Sequence, residues 1–193
     1  MRFDAGDDLC LGFFKEAYDA GAITFPERAR VLELGCAEAD WLAAMHGTRP
    51  DLHLTGIDQR FAPRQACDRF IEADVLTTRA FEPAEFDAIV AVSMVEWAGL
   101  GHYGDPVSPD GDIITMQRAR DWIQPDGLMY LDSPYCPQNS RDPFIMRNQL
   151  RAYTERGLHE RLLTNRWQPI WRQHFYDTGH PDGPYVALVV KPL

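Results

Sequence analysis

Ten residues, Val31-Leu32-Glu33-Leu34-Gly35-Cys36-Ala37-Glu38-Ala39-Asp40, form an apolar run that ends on an acid and a glycine and then starts a helix. A strand, a tight turn and a helix N-terminus in that order bring backbone N–H groups close to a ligand. Gly56-Ile57-Asp58 closes the next apolar run. Asp58 follows at about the 20-residue spacing at which open α/β folds set a carboxylate under a ribose. One acid before the turn and one at the end of the next run point to a nucleoside-bearing cofactor.

A second stretch carries different chemistry. Ser93-Met94-Val95-Glu96-Trp97-Ala98-Gly99-Leu100-Gly101-His102-Tyr103-Gly104-Asp105-Pro106 runs on to Ser108-Pro109-Asp110-Gly111-Asp112. It starts where the fourth strand is expected to end, at the sheet edge where open α/β folds place ligands. Its glycines and prolines argue for a shaped site. His102 is the expected base, since imidazole titrates near neutrality, with Glu96 orienting it or binding a substrate hydroxyl or amine. Trp97, Tyr103 and Asp105 are the expected substrate contacts. Equally open at this point is that Glu96 bonds loop backbone, as Asp105 would; for Tyr103 packing is the plainer expectation.

Other groups are weighed against plainer roles. Asp105, Asp110 and Asp112 match no calcium-loop spacing, and Asp110-Gly111 reads as a turn with Asp112 as a helix cap. His174, Asp177 and His180 fall at a strand end and hairpin, so no metal is expected. The arginines Arg147, Arg151, Arg156, Arg161 and Arg166 suit either a phosphorylated acceptor or a solvated helix face. Asp132-Ser133-Pro134-Tyr135 has the look of a base-methylating motif, but it follows the fifth strand and not the fourth.

The elements that must position these residues follow from periodicity. Asp7 or Asp8 caps a helix through Leu11, Phe14 and Tyr18 that Gly21 ends. Strands are predicted at Arg30 to Leu34, Leu52 to Ile57, Phe70 to Glu72, Ala88 to Val92 and Leu128 to Leu131. A helix runs through Trp41, Leu42 and Met45, and another from Asp112 to the turn Gln124-Pro125-Asp126-Gly127. Ser140 to Arg166 reads as arginine-rich helix or loop. Two closing strands, Pro169 to Tyr176 and Tyr185 to Val190, flank a Gly/Pro-rich hairpin. Strands alternating with helices imply a parallel, doubly wound sheet.

The Glu33–Gly35 and Asp58 motifs together resemble the first two cofactor motifs of S-adenosylmethionine-dependent methyltransferases. That resemblance implies an α/β Rossmann-like methyltransferase fold: a mostly parallel seven-stranded sheet with an antiparallel last strand and helices on both faces. It implies S-adenosylmethionine as cofactor, with Glu33 at its methionine end, Asp58 on the ribose and Asp74 against adenine. Gly35, Cys36, Ala37, Gln59, Val75 and Ser93 complete the expected cofactor contacts. Ala37 and Ala39 stand where the family carries glycines. The Glu96–Asp112 segment is similar to the loop of a methyltransferase-like family of bacteria and nematodes that carries Glu-His, Gly-Leu-Gly-x-Tyr-Gly-Asp-Pro and Asp-Pro-Asp-Gly-Asp. Here Trp97 replaces the histidine and Ser108 the first aspartate of the last block. The implied activity is methyl transfer to oxygen or nitrogen of a small metabolite, a sugar or sugar nucleotide among them. The alternative is a methyltransferase-like binding or scaffold protein without turnover. A nicotinamide oxidoreductase is disfavoured by the missing glycines.

Bulk properties fit these expectations. The 193 residues, 45% of them hydrophobic, suit one domain: an N-terminal helical cap over 1–29, a cofactor-binding core over 30–134, and a C-terminal helical segment with closing strands over 135–193. A formal charge of −10 argues against nucleic acid as a partner. Cys10, Cys36, Cys67 and Cys136 show no paired spacing, so reduced thiols are expected. The N-terminus is acidic, no run has membrane-span length, and a cytoplasmic location is expected. A homodimer is compatible with such a chain.

Overall fold

Strands that are apolar without alternation need cover on both faces. In β1 (Arg30–Leu34), Leu32 and Leu34 enter one buried cluster with Met116, Ala119 and Trp122, while Val31 enters another with Phe14, Trp41 and Leu42. The computed structural model describes residues 3, 6, 8–60, 66–137, 144–146, 149–164, 166–176, 178–179 and 183–193.

Along the chain, α1 (Leu9–Asp19) precedes β1, and α2 (Asp40–Thr48), β2 (His53–Asp58), β3 (Arg69–Glu72) and β4 (Phe86–Ala91) follow it. Then come α3 (Gly111–Trp122), β5 (Ile123–Pro134), β6 (Phe144–Met146), β7 (Leu150–Ala152) and α4 (Glu155–Gly157). A π-helical turn, Leu158–Leu163, leads to β8 (Trp167–Phe175) and β9 (Tyr185–Pro192). The seven-stranded sheet has the order β3-β2-β1-β4-β5-β9-β8. Neighbours from β3 to β5 are parallel, and β9 runs antiparallel to both β5 and β8. Residues of α1 and α2 fill one face and those of α3 and the π-helical turn the other. The fold class expected from the sequence is therefore the one observed.

Differences from the expected elements are local. Gln124 to Gly127 lies inside β5 rather than in a turn, and its pairing with β4 shifts register between Phe86 and Ala88. Asp112 is not the cap of α3. Asp110 holds that position without a side-chain cap bond, and Asp112 is wholly buried inside the first turn. The stretch from Ser140 includes an antiparallel hairpin, β6 with β7, before its helical part. Arg147, Asp177, His180 and the tip of the last hairpin lie outside the described residues. No helix of the described residues is long and apolar enough to cross a membrane.

Candidate functional site

The C-terminal tips of the parallel strands open into a cleft of about 410 Å³, within the range of small-molecule sites. The β1 loop contributes Glu33, Gly35, Cys36 and Ala37 to its wall, and the β2 end contributes Asp58 and Gln59. Asp74 and Val75 come from the loop after β3 and Ser93 from the end of β4. Trp97, Tyr103 and Asp105 line it as well.

The β1 loop is held by β2. Gly35 and Cys36 donate their N–H groups to the Ile57 carbonyl (2.8 and 3.2 Å), and Ala37 N–H donates to Asp58 Oδ2 (2.8 Å). Asp58 Oδ1 accepts from the Arg60 N–H at 2.7 Å and from Arg60 Nε at 3.2 Å. A carboxylate offers about four lone-pair directions, so these three bonds leave one for a ligand. Gly35, Ala37 and Ala39 all have positive φ, at 62°, 46° and 67°. The two alanines thus keep the left-handed backbone for which glycine is favoured, at a cost of about 1–2 kcal/mol each. A Cβ on Gly35 would lie well inside contact distance of Met94, so glycine is required there by space as well as by φ.

Glu33 is left partly unsatisfied in this half. It is 4% exposed, and its Oε2 has no hydrogen-bond partner among the described residues. Burial raises its carboxyl well above the usual range, and the charges of Asp40 and Asp58 add to that. The Leu42 backbone N–H, at the start of α2, works the other way. A cation docked on Glu33 removes this penalty. Asp74 lines the cleft and also accepts from Leu76 N–H (2.9 Å) and Thr77 Oγ1 (3.1 Å) in a turn.

The segment after β4 is clamped from far along the chain. Arg151, 1% exposed in β7, donates its backbone N–H to the Glu96 carbonyl (3.0 Å). Its guanidinium donates to the Ala98 (2.5 Å) and Ser108 (3.0 Å) carbonyls. Asp112 accepts two bonds from Arg161 (2.8 and 2.7 Å) and one from the Tyr153 hydroxyl (2.9 Å), with Arg151 Nε 3.8 Å away. Arg151 and Arg161 are therefore neither a solvated helix face nor free to bind phosphate.

Within the clamped segment, Glu96 is wholly buried and accepts from Ser93 Oγ at 2.8 Å. Asp105 accepts from the Gly101 and Tyr103 N–H groups, and the Arg60 guanidinium lies over the Tyr103 ring at 4.6 Å. His102 is exposed, edge-on to Trp97 at 5.9 Å, and its side chain is not part of the cleft wall. The structure does not bring it to Glu96. Among the described residues no three His, Cys, Asp or Glu side chains are grouped as a metal ion requires.

Several groups at the site escape sequence reasoning. Asp8 caps α1, accepting from Leu11 N–H (2.7 Å), and also lines the cleft, as do Cys10, Asp40, Arg60 and Met94. Asp132, at the tip of β5, is wholly buried and accepts from Ser93 N–H at 3.1 Å. The only signal for it is the Asp-Ser-Pro-Tyr string, set one strand too late to be trusted.

The curated proteins contain no match to the chain. Solved structures do resemble it. A Burkholderia thailandensis 1,6-didemethyltoxoflavin-N1-methyltransferase, solved with 1,6-didemethyltoxoflavin and S-adenosylhomocysteine, has a TM-score of 0.71 at 16% identity, over 96% of this chain and 79% of its own. The [4+2]-cyclase SpnF has a TM-score of 0.69 at 13% identity, over 94% and 81% of the two chains. A geranyl diphosphate C-methyltransferase from Streptomyces coelicolor A3(2), solved with S-adenosyl-L-homocysteine, has 0.67 at 10% identity, over 95% and 81%. At these identities the likeness establishes the fold, which is the Rossmann-like methyltransferase fold. Residues 57–158 match the family described as "Caenorhabditis protein of unknown function, DUF268", a span of more than half of the chain that takes in both the Ser93–Asp112 segment and Arg151, and the chain belongs to that family.

Proposed function

We propose that the chain transfers a methyl group from S-adenosylmethionine to nitrogen or oxygen of a small-molecule acceptor. The observation that carries this reading is Glu33: a buried carboxyl on the cleft wall with one oxygen unpartnered, beside a loop kept in a glycine-like conformation. That arrangement fits the ammonium end of the methyl donor. Asp58 keeps a lone pair for the ribose hydroxyls, and Asp74 with Val75 bounds the adenine side. The two methyltransferase neighbours bind S-adenosylhomocysteine on the same fold, which supports the assignment.

When bound, the donor supplies an electrophilic methyl carbon on a positively charged sulfur. The protein's part is to align an acceptor with that carbon, keep water away and handle the acceptor's proton. Trp97 and Tyr103 form the apolar wall against which an acceptor lies. Glu96 positions Ser93, and the Arg151 clamp holds the segment that carries both.

Calorimetry with S-adenosylhomocysteine tests the reading. Wild-type protein should bind it, and Asp58→Ala should bind it at least about tenfold more weakly, since both the ribose contact and the Ala37 anchor are lost. No binding by the wild type at millimolar ligand ends the proposal. The second reading, a binding or scaffold protein without turnover, draws on the similarity to a [4+2]-cyclase, since this fold is not tied to methyl transfer. It predicts cofactor binding with no donor consumed in a metabolite extract.

A further inference from the structure

One stretch of the cleft's rim is held unlike the rest. Residues 100–107 leave the segment after β4 and return to it, because the Ser108 N–H donates to the Gly99 carbonyl at 2.8 Å. That base is pinned from two sides. The Arg151 guanidinium holds the Ala98 and Ser108 carbonyls, and α3 abuts the base so closely that a Cβ on Gly111 would meet the Gly99 Cα at 2.8 Å. A segment whose ends meet in this way is a compact Ω-loop.

Its tip is a unit in itself. Asp105 accepts from the Gly101 N–H at 3.1 Å and the Tyr103 N–H at 3.2 Å, so the turn that carries Tyr103 is tied to a carboxylate of its own. Gly101 and Gly104, on either side of Tyr103, have φ of 77° and 91°, where glycine bends at no steric cost. The tip is therefore built to swing about its pinned base as one piece.

What the tip rests on lies across the cleft. The Arg60 guanidinium, just past the end of β2, stands over the Tyr103 ring at 4.6 Å. Gly104 faces the Gln59 side chain, whose Oε1 would be 3.6 Å from a Cβ built there. In the sheet β1 lies between β2 and β4, so a contact from the β2 tip to the β4 loop spans the end of β1, where Gly35, Cys36 and Ala37 line the cleft. Gln59, Arg60, Tyr103 and Asp105 are wall residues themselves, which sets the bridge on the cleft and not beside it. Arg60 also reaches Asp58, the acid assigned to ribose, with its Nε 3.2 Å from Oδ1. Its side chain and Tyr103 are 47% and 42% exposed, so the bridge faces solvent on its outer side and is weak enough to break.

We propose that residues 100–107 are a strap over the methyl-donor half of the cleft, latched by the Arg60–Tyr103 contact, and that the donor enters and its product leaves only while the latch is open. This rests on the methyl-transfer reading and adds the gating of that same site. A closed strap keeps water from the sulfonium and holds the donor in line while an acceptor is aligned with it. The latch joins protein to protein and contributes alike to the empty and the filled cleft. Breaking it should therefore change how fast the ligand passes and leave how tightly it binds.

The test is stopped-flow tryptophan emission with S-adenosylhomocysteine, Trp41 and Trp97 on the cleft wall being the reporters, and displacement of the radiolabelled compound gives the release rate a second time. Tyr103→Ala should speed association and release alike, each by about three- to fivefold, the worth of a partly exposed cation–π contact, while the dissociation constant moves by less than about twofold. Tyr103→Phe, which keeps the ring face under the guanidinium, should hold the wild-type rates. Arg60→Ala opens the same latch and also removes a partner of Asp58, so its affinity is free to change. Adding Tyr103→Ala to it should then alter neither rate by more than about twofold, because a latch already open cannot be opened again. Wild-type rates in Tyr103→Ala, faster release alone, a Tyr103→Phe variant as fast as the alanine one, or effects of the two substitutions that multiply would each overturn the strap while cofactor binding stands. Failure of the wild type to bind S-adenosylhomocysteine overturns the methyl-transfer reading and this inference with it.

Discussion

At the tips of β1, β2 and β3, carboxylates are held by groups on the same or the next loop. Asp58 takes N–H bonds from Ala37 and Arg60, and Asp74 from Leu76. At the tips of β4 and β5 the holding groups come from far along the chain: Arg151, Tyr153 and Arg161 fasten residues 96 to 112, and Asp132 fastens Ser93. The first half is a motif and the second a tertiary assembly. The difference separates a cleft wall that short-range turns hold from one that only the closed sheet assembles.

The largest test of that contrast is Arg151→Ala. Removing one member of a buried, hydrogen-bonded charge network costs about 3–5 kcal/mol. Urea denaturation should show a loss of about that size, and a loss below about 1 kcal/mol, the value for an exposed pair, would break the claim that the second half is clamped. Gly35→Ala strikes the local half. The new methyl must displace Met94 and adopt a left-handed φ, so about 2 kcal/mol of stability and about tenfold in S-adenosylhomocysteine affinity should go, read by denaturation and calorimetry.

Smaller is the pH effect. Glu33 and Asp132 hold protons in the folded state that they release in the unfolded state near their ordinary values of 4.5 and 3.8. Stability of the ligand-free protein therefore falls as pH rises above those values towards the raised folded ones, by up to about 1.4 kcal/mol per pH unit for each group. Glu33→Gln should flatten that slope and raise the stability of the free protein at pH 8, while weakening cofactor binding. An unchanged slope in thermal melts between pH 5 and 8 would show that Glu33 is not the uncompensated acid. Glu155, pulled down to about 2 chiefly by the Arg172 hydrogen bonds, acts with the opposite sign. Its contribution is present above its ordinary value and lost on acidification towards pH 2. Last comes Ala39→Gly. It relieves a left-handed alanine at the start of α2 but loosens the unfolded chain, for a net gain of about 0.5 kcal/mol, measurable as a small upward shift in Tm.

Much of the first half was readable in advance. Arg30–Leu34 is the strand expected, and Glu33, Gly35, Asp58 and Asp74 all reach one cleft. Each depends on a strand ending in a turn, and short-range pattern records that. His102 and Asp112 show the limit. The same Gly/Asp-rich composition that marks a loop cannot say which side chains turn inward, and His102 points away while Asp112 becomes the centre of a buried network. Nor could spacing reveal that arginines 39 and 49 residues beyond Asp112 would be drawn under the loop.

What the amino-acid sequence alone determined is the parallel sheet, its antiparallel finish and the carboxylates at three strand tips, because hydrophobic period and turn chemistry act over a few residues at a time. What only the tertiary structure decided is the second half of the cleft: that Asp132 sits behind Ser93, that Glu96 is buried beneath it, and that Arg151 spans the loop. The Asp132 and Arg151 contacts join residues 39 to 55 positions apart once the sheet has closed, and the burial that surrounds them does not exist in the unfolded chain.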